Sequence, residues 1–208
     1  MRDVLVATRS AGKVGELMPM LQAAGWRGVS LDAAGVPYAP EEDGIECFDT
    51  FEENALAKAR WFSARAAGMI VLADDSGLAV DALAGAPGVR SKRWAEEPGR
   101  EGHALDAANN RKLLRELSHA VERHARYVCV VAMVWPGGEL SARGECAGRI
   151  LTAPSGDGGF GYDPYFSSEE LRASFGCATI DAKARVSHRG RAVRAALAQF
   201  VARNENAR

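Results

Sequence analysis

An apolar stretch, Met69-Ile70-Val71-Leu72, runs directly into Ala73-Asp74-Asp75-Ser76-Gly77-Leu78, and two adjacent carboxylates at the edge of a buried segment leave few folding solutions open. Successive side chains on a strand point to opposite faces. One aspartate can therefore face a cleft while its neighbour is held in hydrogen bonds behind it, an arrangement suited to a divalent metal. The competing reading is a plain Asp-Ser-Gly turn, in which Asp75 and Ser76 accept backbone hydrogen bonds and Gly77 supplies positive φ. On either reading the strand ends near Leu72, turns at the glycine, and resumes at Leu78-Ala79-Val80.

Three further clusters join glycine to charge: Thr8-Arg9-Ser10-Ala11-Gly12-Lys13, Gly158-Gly159-Phe160-Gly161-Tyr162-Asp163-Pro164, and Ser187-His188-Arg189-Gly190. Each lies beside an expected strand or helix end, and together they have the character of one anion-binding cleft. The net charge of −1 gives no general attraction to nucleic acid or membranes, so an anionic ligand must be held by local Lys, Arg and backbone N–H groups. With 208 residues, 47% of them hydrophobic, the chain can form one large domain or two intimate lobes around a real core. No apolar run approaches the roughly 20 residues that span a bilayer, and the N-terminus reads as a strand rather than a signal segment, which points to the cytoplasm. Cys47, Cys129, Cys146 and Cys177 are scattered, so neither a zinc site nor a disulfide framework is indicated.

Residues 4–7 form a continuous apolar run that reads as a buried parallel strand. Val14, Leu17, Met18 and Leu21 follow at helical spacing, giving the strand, loop and helix order of phosphate-cradling folds. Pro19 removes a helical hydrogen bond at a cost of about 3 kcal/mol, so this helix is expected to kink or break. Thr50-Phe51-Glu52-Glu53 has the form of a capping box, opening a helix to about Ala67. Leu105, Ala108, Leu113, Leu117 and Val121 fit an amphipathic helix over residues 105–124, with Asn109-Asn110 marking a fray or a polar surface. Residues 127–135 and 139–146 read as a hairpin around Pro136-Gly137-Gly138. A last helix spans residues 187–203, with residues 204–208 frayed. The whole of 1–208 reads as one domain.

The loop Thr8 to Lys13 offers N–H groups, a helix N-terminus and a lysine to phosphate, although an ordinary strand-to-helix connection fits as well. It is not a Walker A loop, which requires Ser or Thr after the lysine. Asp75, with Glu41 or Glu42 from an acidic turn, can supply oxygen ligands to Mg²⁺; a solvated turn is the alternative for residues 41–43. Phe160, set among glycines, can stack on a base, with Asp163, His188 and Arg189 as edge donors or acceptors. Loop packing for Phe160 and a capped helix start for His188-Arg189 are the plainer readings. Lys58 and Lys183 are further candidates for phosphate contact.

With these residues in view, the chain resembles the inosine triphosphate pyrophosphatase family. The match runs over residues 4–197 and takes in Ala7-Thr8-x-x-Ala11-Gly12-Lys13, Thr50-Phe51-Glu52-Glu53-Asn54-Ala55, Ala73-Asp74-Asp75-Ser76-Gly77-Leu78, Gly85-Ala86-Pro87-Gly88-Val89, Gly158-x-Phe160-Gly161-Tyr162-Asp163-Pro164 and Ser187-His188-Arg189-Gly190, in that order. The resemblance implies an α/β fold with a mixed twisted sheet in two lobes, helices on both sides, an active-site groove between the lobes, and a homodimer. It implies Mg²⁺-assisted hydrolysis of dITP, ITP and XTP to the monophosphate and pyrophosphate by water attack on the α-phosphorus. Residues 8–13 would then hold the triphosphate, Asp75 would be the metal-linked general base, Ser76 would touch substrate, and Glu41 would be a second metal ligand. Phe160, Gly161, Tyr162, Asp163, Lys183, His188 and Arg189 would enclose base and sugar. A pyrophosphatase for modified pyrimidine nucleotides and a non-catalytic nucleotide-binding module are the alternatives. The chain departs from the family pattern at Arg9-Ser10 in place of Gly-Asn, at an insertion over residues 45–49, at Arg90, and at Lys183-Ala184-Arg185.

Overall fold

A computed structural model describes residues 1–66, 68–97, 99 and 101–205, the side chain of Glu205 excepted. Seven strands hydrogen bond in the order β2-β1-β3-β4-β5-β6-β7. They are β1 (Arg2–Val6), β2 (Trp26–Ser30), β3 (Ile70–Val80), β4 (His124–Trp135), β5 (Gly138–Ile150), β6 (Phe166–Ser168) and β7 (Ala173–Ser174). β1 pairs in parallel with β2 and β3, whereas β6 is antiparallel to both β5 and β7, so the sheet is mixed, as expected. The helices are α1 (Ala11–Ala23), α2 (Phe51–Ser63), α3 (Gly102–Glu116), α4 (Ile180–Val186) and α5 (His188–Glu205). By its contacts the chain divides into two compact units, one of Met1–Asp75, Cys129–Gly144 and the segment from His188 onward, the other of Ser76–Val128 and Glu145–Ser187.

In the first unit, Val4 and Val6 of β1 and Leu72 of β3 pack with Leu17 and Leu21 of α1 and with Ala192, Val193 and Ala196 of α5. Burying each large apolar side chain contributes about 1.5–3 kcal/mol. Trp26 and Trp135 both meet Phe200 edge to face, with centroids 5.2 Å and 4.9 Å away. Gly144 has no substitute at its position, because a Cβ there would lie 2.3 Å from the carbonyl oxygen of His188 on α5. α1 runs unbroken through Pro19, contrary to an interruption. Gly15, whose carbonyl loses its helical partner to that proline, is exposed and can be hydrated there. Thr50 caps α2, its hydroxyl accepting from the Glu53 N–H at 3.2 Å. That helix ends at Ser63; its expected end at Ala67 lies outside the described residues. α5 carries order through Asn204 and Glu205, where fraying was expected; residues 206–208 lie outside the description.

The second unit has its own core of Leu78, Val80, Leu113, Leu117, Tyr127, Cys146, Phe166 and Phe175. α3 stops at Glu116 rather than near residue 124, and Val121 is 90% exposed. Arg123 caps this end, its guanidinium donating to the carbonyl of Leu117, which follows the helix, at 2.8 Å and to that of Ile150 on β5 at 2.9 Å, which sets a cation at the helix C-terminus. Asn109 and Asn110 are buried, neither frayed nor a polar surface. The largest correction concerns β3, which is continuous through Asp74-Asp75-Ser76-Gly77. No turn forms there, because ion pairs and a side-chain amide hold the two aspartates within the strand.

Candidate active site

β3 places Asp74 and Asp75 on opposite faces, and the two carboxylates meet different surroundings. Asp74 is fully buried. Its Oδ2 lies 3.1 Å from Nζ of Lys13 and 3.2 Å from Nε of Arg189. Arg189 is also ion-paired to Glu16, which reaches in from the buried face of α1. Burial alone would raise the Asp74 carboxyl, but Lys13, Arg189 and Lys58 together outweigh it and hold the group well below the usual carboxylate range. Cys129, 3.9 Å from the same oxygen, has its thiol pushed far up by burial and then by the Asp74 charge, so it is an inert packing residue.

Asp75 receives Nδ2 of Asn54 on its Oδ2 at 3.1 Å. Burial raises its carboxyl and Glu46 adds to that, while Lys13 and Lys58 pull it back without restoring the ordinary value. The nearby acid is thus Glu46, from residues 45–49, and it is ion-paired to Lys58 of α2. Burial would raise Glu46 too, but Lys58 and Lys13 bring it below its ordinary value. Asn54 fastens the inserted segment beside Asp75, since its Oδ1 accepts from Phe48 N–H at 2.9 Å and its Nδ2 donates to Phe48 O at 3.2 Å. The expected partner, Glu41, is exposed. Glu42 is taken by Arg9, whose Nη2 and Nε lie 2.9 Å and 3.1 Å from its two oxygens. The ion pair to Lys58 holds Glu46, from residues 45–49, against α2.

The loop from Thr8 to Lys13 leads into α1 with Ser10 as cap, its hydroxyl accepting from the Lys13 N–H at 3.5 Å. No acidic side chain occupies the first turn of α1, so the helix end keeps its positive partial charge. Arg9, expected on the phosphates, instead ties this loop to Glu42, to Asp32 at 3.3 Å and to the Val36 carbonyl at 3.0 Å.

In the second unit, the loop Gly158 to Asp163 closes on itself. Asp163 is buried and its Oδ2 takes the Phe160 N–H at 2.8 Å and Nζ of Lys183 at 2.5 Å, while Oδ1 takes the Tyr127 hydroxyl at 3.3 Å. Gly159, at φ 73°, would place a Cβ 2.1 Å from Asp163 Oδ2. Tyr162 is in the core with its hydroxyl donating to Ser91 O at 2.8 Å, and burial followed by the Asp106 charge pushes its phenol up. Phe160 is half-buried, with Nζ of Lys183 5.3 Å from its ring centroid. Through these contacts Asp163 and Tyr162 hold the loop. Arg189, expected at a base edge, is 2% exposed and committed to Asp74 and Glu16. His188, also buried, opens α5. Ser76 is half-buried on β3.

Sequence reasoning missed Glu46, Asn54 and Glu16. Asn54 lies in the Thr50-Phe51-Glu52-Glu53-Asn54-Ala55 motif, and Glu16 could have been found as a charge on the apolar face of α1. Glu46 had no signal beyond being an acid within an insertion.

The Ham1 family model matches residues 4–199. A dITP/XTP pyrophosphatase of Nocardia farcinica is 48% identical over 198 residues, covering 93% of this chain and 92% of its own. Among solved structures, a HAM1 protein from Coxiella burnetii superposes with a TM-score of 0.78 at 31% identity, over 98% of this chain and 100% of its own. The Nucleoside-triphosphatase / dITP/XTP pyrophosphatase of Mycobacterium abscessus does so with a TM-score of 0.67 at 41% identity, over 93% and 97%. By sequence and by fold alike, the chain belongs to the Ham1 family.

Proposed function

We propose that this protein hydrolyses the non-standard purine nucleoside triphosphates dITP, ITP and XTP to the monophosphate and pyrophosphate. One observation carries the reading: adjacent aspartates on β3 are driven apart in character, Asp74 locked as an anion between Lys13 and Arg189 and Asp75 raised beside Glu46. Carboxylates whose surroundings separate them in this way divide structural and proton-accepting roles. The substrate class follows the names of the relatives.

In this reading the N–H groups of residues 8–13, the N-terminus of α1, Lys13 and Lys58 take the triphosphate, and Ser76 touches it. Asp75 accepts the proton of the water that attacks the α-phosphorus. Phe160 stacks on the base, and Gly161, Lys183 and His188 line the base and sugar. Arg189 acts on Asp74 and not on the base. No helix among the described residues is long and apolar enough to cross a membrane. The homodimer and the cytoplasmic setting belong to the same reading.

Mg²⁺ fits this donor set. Among the described residues no three acids, histidines or cysteines gather into a metal centre, but the Glu46 charge acts on Asp75 and helps to raise its carboxyl, a repulsion that a cation would relieve. One or two such oxygen donors, completed by phosphates and water, are what Mg²⁺ ordinarily uses. When bound it supplies neutralisation of phosphate charge and a more acidic water. Glu46→Gln is expected to weaken Mg²⁺ binding by about tenfold or more, read by Mn²⁺ titration of the nucleotide complex; unchanged affinity would remove Glu46 from the metal site. Phe160→Ala is expected mainly to raise KM for ITP, because stacking acts in ground and transition states alike. A selective fall in kcat would contradict stacking.

The reading is tested by a panel of ITP, dITP, XTP, GTP, ATP and pyrimidine triphosphates at fixed Mg²⁺, with products identified. Preference for the first three with release of pyrophosphate is expected. Preference for a pyrimidine, or release of a diphosphate, would defeat it.

A further inference from the structure

We propose that Asp106 and Asn110 of α3 form a clamp on Gly161 that fixes the pose of Phe160, and that this clamp sets how sharply the protein discriminates among bases. The inference rests on the reading that Phe160 receives the base. Asp106 and Asn110 stand four residues apart and so share one face of the helix. Asp106 Oδ2 accepts the N–H of Gly161 at 2.9 Å, and Asn110 Nδ2 donates to the carbonyl of the same residue at 2.9 Å. Both polar groups of a single backbone residue are gripped by one helix.

Gly161 needs such a grip. At φ 63°, with nothing near the position of a Cβ, it has the backbone freedom of any glycine, and it directly follows the residue expected to stack. Asp163 holds the N–H of Phe160 from the other side at 2.8 Å, so with the clamp in place the Phe160 peptide is restrained at both ends. Adjacent Asn109 does the same for the 92–95 segment, its Oδ1 accepting from Ala95 N–H at 2.8 Å and its Nδ2 donating to Lys92 O at 3.0 Å. Tyr162 closes the circuit through Ser91 O at 2.8 Å. One turn of α3 thus fastens two loops.

Asn110 is placed for this task at a cost to the fold. The residue is 7% exposed, and its Oδ1 is buried with no hydrogen-bond partner. Reversing the amide would set that oxygen against the Gly161 carbonyl, so the orientation is fixed by the clamp. A leucine of similar shape would satisfy packing without the unmet acceptor. Asp106 and Asn110 are positioning residues, acting on substrate through Phe160.

The test compares Asp106→Ala, Asp106→Asn and Asn110→Leu with wild type. Hydrogen exchange in ligand-free protein should quicken over residues 158–163 in Asp106→Ala and Asn110→Leu but not over 69–75, while Asp106→Asn, which keeps an acceptor, stays near wild type. Asn110→Leu should melt no lower than wild type. In both clamp variants KM for ITP should rise by about tenfold with kcat little changed, the preference for ITP over GTP should narrow, and inhibition by inorganic pyrophosphate, which has no base, should be unaltered. Unchanged exchange, or parallel weakening of ITP and pyrophosphate, overturns the proposal. A wild type with no preference for ITP over GTP defeats the functional reading and the selectivity claim with it. A preference retained undiminished in both variants defeats the clamp alone.

Discussion

Replacing Asp75 by Asn is expected to lower kcat for ITP by about 10²- to 10⁴-fold, the usual share of a positioned proton acceptor, while the nucleotide still binds. Asn keeps the shape of the side chain and an oxygen that can accept from Asn54, so the strand and the inserted segment stay in register. Lys13, one of the phosphate-holding groups, keeps its ion pair to Asp74 in the variant. Stability should not fall. The Asp75 carboxyl is raised above its ordinary 3.8 by burial and by Glu46, so its charged form costs folding free energy at neutral pH. That penalty is absent below the unfolded value and complete once pH passes the folded one; the melting temperature of the variant should therefore exceed that of wild type at pH 7, and the gap should close towards pH 3. Turnover, binding of a non-hydrolysable analogue and melting at the two pH values check this. Near wild-type turnover would remove Asp75 from the chemistry, and a lower melting temperature would make it structural.

Arg189→Met is expected to destabilise the fold by about 3–5 kcal/mol, because breaking a buried ion pair leaves its partners charged and uncompensated. Here the partners are Asp74 and Glu16, both buried. Acid behaviour should change as well. Asp74 is held below the usual carboxylate range, so its contribution to wild-type stability is complete above about pH 4 and is lost only as pH falls through the lowered value. Without Arg189 the carboxyl is lowered less, so that contribution is smaller and is used up at higher pH. Urea unfolding at neutral pH and in acid well below the ordinary carboxylate range measures both effects. A variant within about 1 kcal/mol of wild type, with altered base preference, would restore Arg189 to the base edge and contradict the ion-pair account.

Much of the frame could be read from residue order. Apolar residues 4–7, the capping box at Thr50 and the spacing in α1 are local signals, and β1, α2 and α1 form where those signals stand. The alternation rule foretold that Asp74 and Asp75 would part company. What escaped reading depends on partners distant in sequence. β3 does not turn at Gly77, because Lys13 and Arg189, 61 and 115 residues away, neutralise Asp74 inside the sheet. Val121 continued a helical pattern, but Arg123 caps the helix at Leu117 and ties that end to Ile150 of β5. Glu41 and Glu42 looked equivalent on paper, and nothing in residue order marked Glu46 as an acid whose charge raises Asp75. The short strands β6 and β7 and the seven-residue α4 are too brief to show a period.

Hydrolysis of ITP in water enriched with ¹⁸O puts the central claim to its most direct test. If residues 8–13 hold the triphosphate so that Asp75 delivers water to the α-phosphorus, the label enters inosine monophosphate and the pyrophosphate released carries none. Label in pyrophosphate would mean attack at the β-phosphorus, and the proposed alignment of substrate on Asp75 and Lys13 would be contradicted.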